Sequence, residues 1–454
     1  MAELLNETIV ALATPVGRGG IGIIRISGPS APFISEKIIG FVPKPRYATL
    51  AVFKDFDGFF LDQGVALYFP KPRSFTGEDI LELQGHGGPV IMDQLLKNVI
   101  KTGARLARPG EFSERAFLNS KIDLVQAEAV ADLINSTSEQ AARSAIRSLQ
   151  GEFSKQINEL VNGLVELRTY IEVAIDFSEE EIGFLEGEIL KKKLKKLLRN
   201  VEVIEKTAKQ GALLREGITV LIAGEPNVGK SSLLNLLSGQ ETAIVTDIAG
   251  TTRDILRESI HIDEIPINLL DTAGLQVTED IVEKEGVRRT KKAIEEADLI
   301  LLIVDVTRVS SRMVEKILAE LFSEKESQAQ VIIVENKIDL TGEQPSKEKS
   351  DYTRIKLSVK TGAGMEILKE YLKETVRSEM TNESNFIARS RHCDAIRRSK
   401  MFIQSAYKKL IQKRVDELVA EDLFRAQQAL SEITGQFSCD NLLKKIFSEF
   451  CIGK

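Results

Sequence analysis

Residues 224–232, GEPNVGKSS, carry glycine, lysine and serine at the spacing that binds nucleotide phosphates. The glycines of this motif allow backbone N–H groups to turn toward the phosphates. Lys230 would reach the β- and γ-phosphates, and the Ser231 hydroxyl would ligate magnesium. The apolar run 219–223 predicts a buried strand before the motif, and 232–237 predicts the start of a helix after it. The motif therefore lies in the strand–loop–helix context that phosphate binding requires.

Three further motifs follow at the spacing of a GTP-binding domain. The segment 271–274, DTAG, follows a predicted strand at 265–270. Asp271 would hold magnesium through a water molecule, and the Gly274 N–H would meet the γ-phosphate. The alternative, a loop-rich α/β domain with accidental motifs, becomes less favoured with each motif that is added.

The last two motifs point to guanine. Asn336-Lys337-Ile338-Asp339 ends a predicted strand at 331–334. The Asp339 carboxylate can accept hydrogen bonds from N1–H and the 2-amino group of guanine, and adenine lacks both donors. A strand at 354–357 leads to residues 358–360, which would close over the base oxygen. The predicted nucleotide contacts in these motifs and the phosphate loop are Asn227, Val228, Gly229, Lys230, Ser231, Ser232, Asp271, Thr272, Ala273, Gly274, Asn336, Lys337, Asp339, Ser358, Val359 and Lys360.

The segment 246–254, TDIAGTTRD, is the other predicted switch loop. Its adjacent threonines offer oxygen ligands for metal ions. The side-chain carbonyl of Asn227 could help to hold a monovalent cation beside the phosphates, where an arginine finger acts in other GTPases; alternatively, it only stabilises the loop. The predicted nucleotide contacts of this segment are Thr246, Asp247, Ile248, Ala249, Gly250, Thr251 and Thr252.

The residue after DTAG is Leu275, which cannot orient the attacking water as a glutamine does in Ras-like switches. Gln276 is displaced by one residue. Another group must therefore position the water, and the acidic stretch 279–285 supplies candidates, among them Glu283. The alternative is that Glu283 is an inert surface carboxylate.

The composition bounds the remaining possibilities. The chain has 454 residues, enough for about three domains. No run of about 18 apolar residues exists, so no membrane span is expected. Three cysteines without paired or zinc-binding spacing favour a cytoplasmic location. The net charge of −6 argues against nucleic-acid binding by the whole surface, but the basic runs 191–196 and 389–400 could bind it locally or form solvated helix faces.

The pattern along the chain predicts four segments. Residues 1–118 read as mixed α/β, and 119–215 show helical periodicity. Strands alternate with helices over 216–378, which predicts a doubly wound parallel sheet. Helices resume over 379–454, so the nucleotide-binding domain is expected to be inserted into a discontinuous helical domain.

Over its whole length, the chain resembles the MnmE (TrmE) family of tRNA modification GTPases. The resemblance is carried by segments at 14–28, 74–89 and 108–124 in addition to the nucleotide motifs. The terminal FCIGK at 450–454 is the most diagnostic, because a generic GTPase does not need it.

The resemblance implies an N-terminal α/β domain for folate binding and dimerisation, a discontinuous helical domain and an inserted Ras-like GTPase domain. It also implies a potassium-dependent GTPase that works as a homodimer with an MnmG-type flavoprotein in a heterotetramer. Together they would add a carboxymethylaminomethyl or aminomethyl group to carbon 5 of the wobble uridine of certain tRNAs. GTP, Mg²⁺, K⁺ and 5-formyltetrahydrofolate or a related folate are the implied cofactors.

The resemblance also assigns roles to individual residues. Glu283 would orient the attacking water, and Cys451 would be the functional cysteine. Ser231 and Thr252 would ligate magnesium. The implied potassium ligands are Asn227, Thr246, Ile248 and Thr251. The implied folate contacts are Arg25, Glu82, Lys121 and Lys454.

Two other functions remain open on the sequence. The nucleotide motifs alone fit a GTPase switch for ribosome or RNP assembly equally well, although the terminal CIGK and the glycine-rich N-terminal domain do not. In the other alternative, the flanking domains serve dimerisation only.

Overall fold

A computed structural model describes most of the chain. The described residues are 6–136, 138–176, 184–240, 257–262, 265–271, 297–308, 314, 317–318, 329–379, 386–412, 417–436, 443, 446–448, 450 and 453. They form two compact units. Unit 1 comprises 1–135, 145–205 and 394–454, and unit 2 comprises 136–144 and 206–393. No helix within the described part combines the length and apolar character needed to cross a bilayer.

The N-terminal part of unit 1 contains a six-stranded sheet in the order β3-β4-β5-β2-β1-β6. Its strands are β1 (Ile9–Leu12), β2 (Gly22–Ser27), β3 (Thr49–Lys54), β4 (Phe60–Phe69), β5 (Ile80–Gly85) and β6 (Arg105–Leu106). Helices α1 (Ala31–Ile39), α2 (Pro89–Lys101) and α3 (Glu111–Leu118) accompany it. Alternate side chains of the central strands, such as Ile24 and Leu83, are fully buried in one apolar core. The predicted α/β character of this segment is confirmed.

Four helices follow: α4 (Leu124–Ile134), α5 (Glu139–Leu149), α6 (Glu152–Asp176) and α7 (Phe184–Glu216). The capping box at Asp123 explains where α4 begins, since its side chain accepts from the Gln126 N–H at 2.9 Å. The helical period of α6 places a full row of apolar side chains in the core: Ile157, Leu160, Val161, Leu164, Leu167 and Ile171.

A second sheet lies in unit 2, with seven strands in the order β12-β13-β11-β10-β7-β9-β8. Its strands are β7 (Ile218–Ala223), β8 (Arg257–Ile262), β9 (Ile265–Asp271), β10 (Leu299–Asp305), β11 (Gln330–Asn336), β12 (Ser346–Lys349) and β13 (Thr353–Lys356). Helices α8 (Lys230–Gln240) and α9 (Met365–Glu379) belong to the same domain. The five central strands are parallel and the two edge strands antiparallel. This confirms the predicted doubly wound sheet.

Two long helices, α10 (Ser390–Ile411) and α11 (Glu417–Thr434), come after this sheet in the chain. In unit 1, α11 packs along α6, where Arg168 donates to the Gln427 side-chain oxygen at 2.8 Å. Helical segments therefore flank the sheet domain in sequence, and the predicted insertion into a discontinuous helical region is confirmed.

Candidate functional sites

The phosphate loop joins β7 to α8, as its sequence predicts. Gly224 has φ +147°, and a Cβ there would overlap the carbonyl oxygen of Ile303 in β10. Asn227 adopts a left-handed conformation with φ +62°, which asparagine tolerates better than most residues. Lys230 is buried, and its Nζ donates to the carbonyl oxygens of Gly224 and Glu225, each at 2.8 Å. The lysine ammonium thus lies inside the loop that would surround the phosphates.

Asn336 joins the phosphate loop to the guanine motif. Its Nδ2 donates to the Val228 carbonyl oxygen at 2.8 Å, and its Oδ1 accepts from the Val359 N–H at 2.9 Å. The same oxygen accepts from the Lys337 N–H at 2.8 Å. One buried amide therefore fixes three loops at the carboxyl ends of parallel strands, where ligands bind in open α/β sheets.

The predicted base-reading residues are also brought together. Asp339 is exposed, and its Oδ1 accepts from the Ser358 hydroxyl at 2.6 Å. Ser358 and Val359 are buried, whereas Lys360 is exposed. The hydroxyl orients the carboxylate that would accept hydrogen bonds from guanine, so Ser358 acts on the base through Asp339.

Asp305, at the end of β10, is a site residue that the sequence analysis missed. Its Oδ2 lies 2.7 Å from Lys337 Nζ, and its Oδ1 accepts from the Thr307 hydroxyl at 2.7 Å. Burial raises the pKa of Asp305, but the hydrogen bonds from Lys337 and Thr307 outweigh it and lower that pKa to about 2. Asp305 is the one polar residue of β10 and its last residue, but nothing in the local sequence indicates its partner Lys337.

A small cleft opens between the phosphate loop and the end of β10. Its lining residues are Glu225, Pro226, Asn227, Val228, Ile303, Val304, Asp305, Arg308 and Ile317. Asn227 and Ser231 are both exposed at the loop. The donor set fits a magnesium–nucleotide complex: a buried ammonium, glycine backbone that tolerates no side chain, and a serine hydroxyl accessible to a metal ion.

Several predicted site residues lie outside the described residues. They are Thr246, Asp247, Ile248, Ala249, Gly250, Thr251, Thr252, Thr272, Ala273, Gly274, Glu283, Cys451 and Lys454. For Asp271 only the backbone is described, as the last residue of β9.

A second cluster of predicted residues lies in the N-terminal sheet. Arg25 of β2 faces Glu82 of β5 in register, and Arg25 Nε donates to Glu82 Oε1 at 2.9 Å. The Arg25 guanidinium lies 5.9 Å from the ring centres of both Phe75 and Phe112. A partly exposed cation held by a carboxylate and two aromatic rings is suited to an anionic ligand with a flat ring system.

Lys121 lies beside the loop that contains Phe75. Its Nζ donates to the Pro72 carbonyl oxygen at 3.0 Å, and its aliphatic carbons would meet any Cβ placed on Gly77. The structure therefore brings Arg25 and Glu82 into direct contact, with Lys121 on the adjacent loop.

Buried ion pairs fix the loop that contains Phe75 and Gly77. Arg115 is 2% exposed and pairs with Glu78 at 3.0 Å and with Glu111 at 3.1 Å. Glu111 also pairs with Arg105 at 2.7 Å. Burial raises the pKa of Glu111, but hydrogen bonds from Arg105 and the Arg108 N–H lower it to about 2. Glu78, Glu111 and Arg115 lie in the segments 74–89 and 108–124 that carry the family resemblance, and no role was predicted for them; they position the loop.

The C-terminal segment packs on the same unit. Leu443, Ile446, Phe447 and Phe450 are buried in one cluster with α4. Gly453 is buried with φ +97°, and a Cβ there would overlap the Leu12 carbonyl oxygen. Leu12 pairs with Ile24, the neighbour of Arg25. Gly453 therefore lies against β1, the strand that pairs with the Arg25 strand β2.

Two protein-family descriptions match this chain. The GTP-binding protein TrmE N-terminus matches residues 8–121, and the MnmE helical domain matches residues 124–451. Together the two matches extend along most of the chain, and the second begins before the second sheet and ends after it.

Full-length relatives carry the same name. The chain is 66% identical over 454 residues to the tRNA modification GTPase MnmE of Coxiella burnetii, covering 100% of each chain. It is 54% identical over 452 residues to the protein of that name from Proteus mirabilis, covering 99% of each chain. A Haemophilus influenzae relative of the same name is also 54% identical, over 99% of this chain and 100% of its own. The chain therefore belongs to the MnmE (TrmE) family of tRNA modification GTPases and is a GTP hydrolase.

Proposed function

We propose that this chain is a potassium-dependent GTPase that modifies carbon 5 of the wobble uridine in tRNA. It acts in the cytoplasm as a homodimer with an MnmG-type flavoprotein partner, and the group added is carboxymethylaminomethyl or aminomethyl. The observation that carries the proposal is the contact of Gly453 with Leu12 of β1, the strand that pairs with the Arg25 strand β2, because it supports a second ligand site besides the nucleotide site.

The nucleotide half of the proposal assigns distinct tasks to the motif residues. Lys230 binds the β- and γ-phosphates, Ser231 and Thr252 hold magnesium, and Asp339 selects guanine. Glu283 orients the attacking water. Magnesium and potassium supply positive charge to the phosphates during hydrolysis.

Potassium dependence is supported by Asn227. Its backbone is left-handed, and its side chain is exposed on the phosphate loop. Its carbonyl oxygen would be one potassium ligand, and Thr246, Ile248 and Thr251 supply the others. No arginine finger is then required.

The modification half concerns the N-terminal site. Arg25, Glu82, Lys121 and Lys454 hold a folate such as 5-formyltetrahydrofolate, which supplies a one-carbon unit. Arg25 pairs with an anionic group of the ligand, and Cys451 acts beside it. Gly453 is two residues from Cys451 and one from Lys454. Its contact with Leu12 therefore supports the assignment of both residues to the folate site.

The test of the nucleotide half is GTP turnover by the purified chain in potassium chloride and in sodium chloride at equal ionic strength. Turnover should be at least tenfold faster in potassium. An Asn227→Ala variant should lose most of that difference while it still binds GDP. Equal turnover in the two salts would contradict the proposal.

A further inference from the structure

Helix α7 carries an unusually basic stretch that the two ligand sites do not use. Residues 189–201 contain six lysine and arginine residues and no carboxylate, in a chain whose net charge is −6. This concentration of one sign of charge is therefore a local feature of α7.

Four of these cations share one face of the helix. Lys192, Lys195, Lys196 and Arg199 follow the spacing i, i+3, i+4 and i+7, which places them in one row. All four are exposed. We call this row the α7 cation stripe; at about 1.5 Å per residue, it extends roughly 10 Å.

The opposite face of α7 is already buried. Leu190, Leu194, Leu197 and Val201 are at most 7% exposed, and they point away from the stripe. A basic amphipathic helix binds a membrane by inserting its apolar face. That mode is unavailable to α7 here, because the core of the protein covers the face that would insert.

The stripe differs from the second basic run, 389–400. There, Arg397 and Arg398 pair with Asp394, and Lys400 pairs with Glu205 at 2.9 Å. By contrast, the ion pairs found between described residues include none of the four stripe residues. Of the two basic runs, the stripe is therefore the one whose charge an external polyanion can neutralise without first breaking an ion pair found between described residues.

We propose that the α7 cation stripe binds the phosphate backbone of the tRNA substrate. The inference rests on the proposed function for the identity of the RNA. Lysine and arginine side chains on one helix face match phosphates along a strand, and such contacts give affinity without reading sequence. A stripe of this kind positions the RNA and leaves base recognition to other residues.

The test compares two full-length variants of equal net charge. The stripe variant carries Lys192→Gln, Lys195→Gln, Lys196→Gln and Arg199→Gln. The control variant removes four exposed lysines from other elements: Lys54→Gln, Lys101→Gln, Lys155→Gln and Lys349→Gln. Glutamine retains the helix propensity of lysine, and circular dichroism with GTP turnover verifies folding of both.

Binding of a fluorescent tRNA transcript is measured between 0.05 and 0.2 M potassium chloride. The loss of four phosphate contacts should reduce the slope of log affinity against log salt by about 3 to 4. The wild-type affinity should therefore fall on the order of 100-fold more than that of the stripe variant over this range. A further variant with Arg at 192, 195 and 196 (Lys192→Arg, Lys195→Arg, Lys196→Arg) should bind like wild type, and so should the control.

Other outcomes overturn the inference. If the wild type binds tRNA and the stripe variant has the same affinity and slope, the stripe does not contact RNA, and the proposed function is unaffected. A wild type that hydrolyses GTP but does not bind tRNA contradicts the proposed function as well. Loss of binding to phosphatidylglycerol vesicles with unchanged tRNA binding would assign the stripe to a membrane surface instead.

Discussion

Single polar side chains at the ends of strands hold the nucleotide site together. Asp305 keeps Lys337 in place, and Asn336 ties the phosphate loop to the guanine motif. Asn336 and Lys337 belong to a motif that the sequence reveals directly. Asp305 belongs to no motif and is recognised only when β10 and β11 are seen side by side, because its partner is 32 residues away.

Replacing Asp305 should weaken nucleotide binding. Asp305→Asn removes the negative charge that holds Lys337, so affinity for GDP should fall about tenfold, equivalent to about 1.4 kcal/mol. The measurement is titration with fluorescent GDP. Asp351→Asn, an exposed position in the same domain, is the matched control and should bind normally. An Asp305→Asn chain with unchanged affinity would remove this residue from the site.

Glu111 should make stability depend on pH in the acid range. Its folded pKa, about 2, lies below its ordinary value of 4.5. Its contribution is therefore complete above about pH 4.5 and is lost as the pH falls toward 2. The lowered pKa corresponds to on the order of 3 kcal/mol.

Glu111→Gln removes that dependence together with the ion pairs. Between pH 5 and pH 3.5, the thermal midpoint of unit 1 should fall by several degrees less in Glu111→Gln than in the wild type. Glu36→Gln, at an exposed position of α1, should behave like the wild type. Parallel decreases in all three proteins would contradict the assigned role of Glu111.

At the scale of elements, the sequence predicts where a helix or a strand lies better than it predicts which of its side chains are buried. The strand predicted at 219–223 is observed as Ile218–Ala223, and the strand predicted at 331–334 as Gln330–Asn336. On α4, the apolar residues near its end predict a buried face. Ile134 is nevertheless 44% exposed, whereas Asp132 is buried. Periodicity reveals an amphipathic helix, but the packing partner decides which residues it covers.

The position of the C-terminal segment can be tested through Gly453. Gly453→Ala would place a methyl group on the Leu12 carbonyl oxygen and should displace the end of the chain. We expect tRNA modification to fall at least tenfold while GTP turnover stays within twofold, since the nucleotide motifs lie in another domain. Both activities are measured on the purified variant, and the modification assay contains the flavoprotein partner that the proposed function requires.

Gly58→Ala is the matched control for Gly453→Ala. Gly58 also has a positive φ, +88°, but a Cβ there would meet nothing within 4 Å. It carries the same backbone strain without the overlap. If both variants modify tRNA equally well, the C-terminal segment does not depend on this contact.

At the scale of the whole molecule, motif order predicts the architecture. The nucleotide motifs lie between two helical segments, so the insertion follows from the sequence. The contact between Gly453 and Leu12 does not, because residues separated by almost the full chain show no local signal of their proximity. The resemblance of FCIGK to the family motif was the only sequence feature that indicated a role for this end.

The most direct test of the whole account is nucleoside mass spectrometry of tRNA from cells that lack this chain. Carboxymethylaminomethyl- and aminomethyl-uridines at the wobble position should disappear and return when the wild-type chain is restored. The Gly453→Ala chain should not restore them, although its GTP turnover is retained. Unchanged wobble uridines in cells without the chain would contradict the central claim that it modifies tRNA at this position.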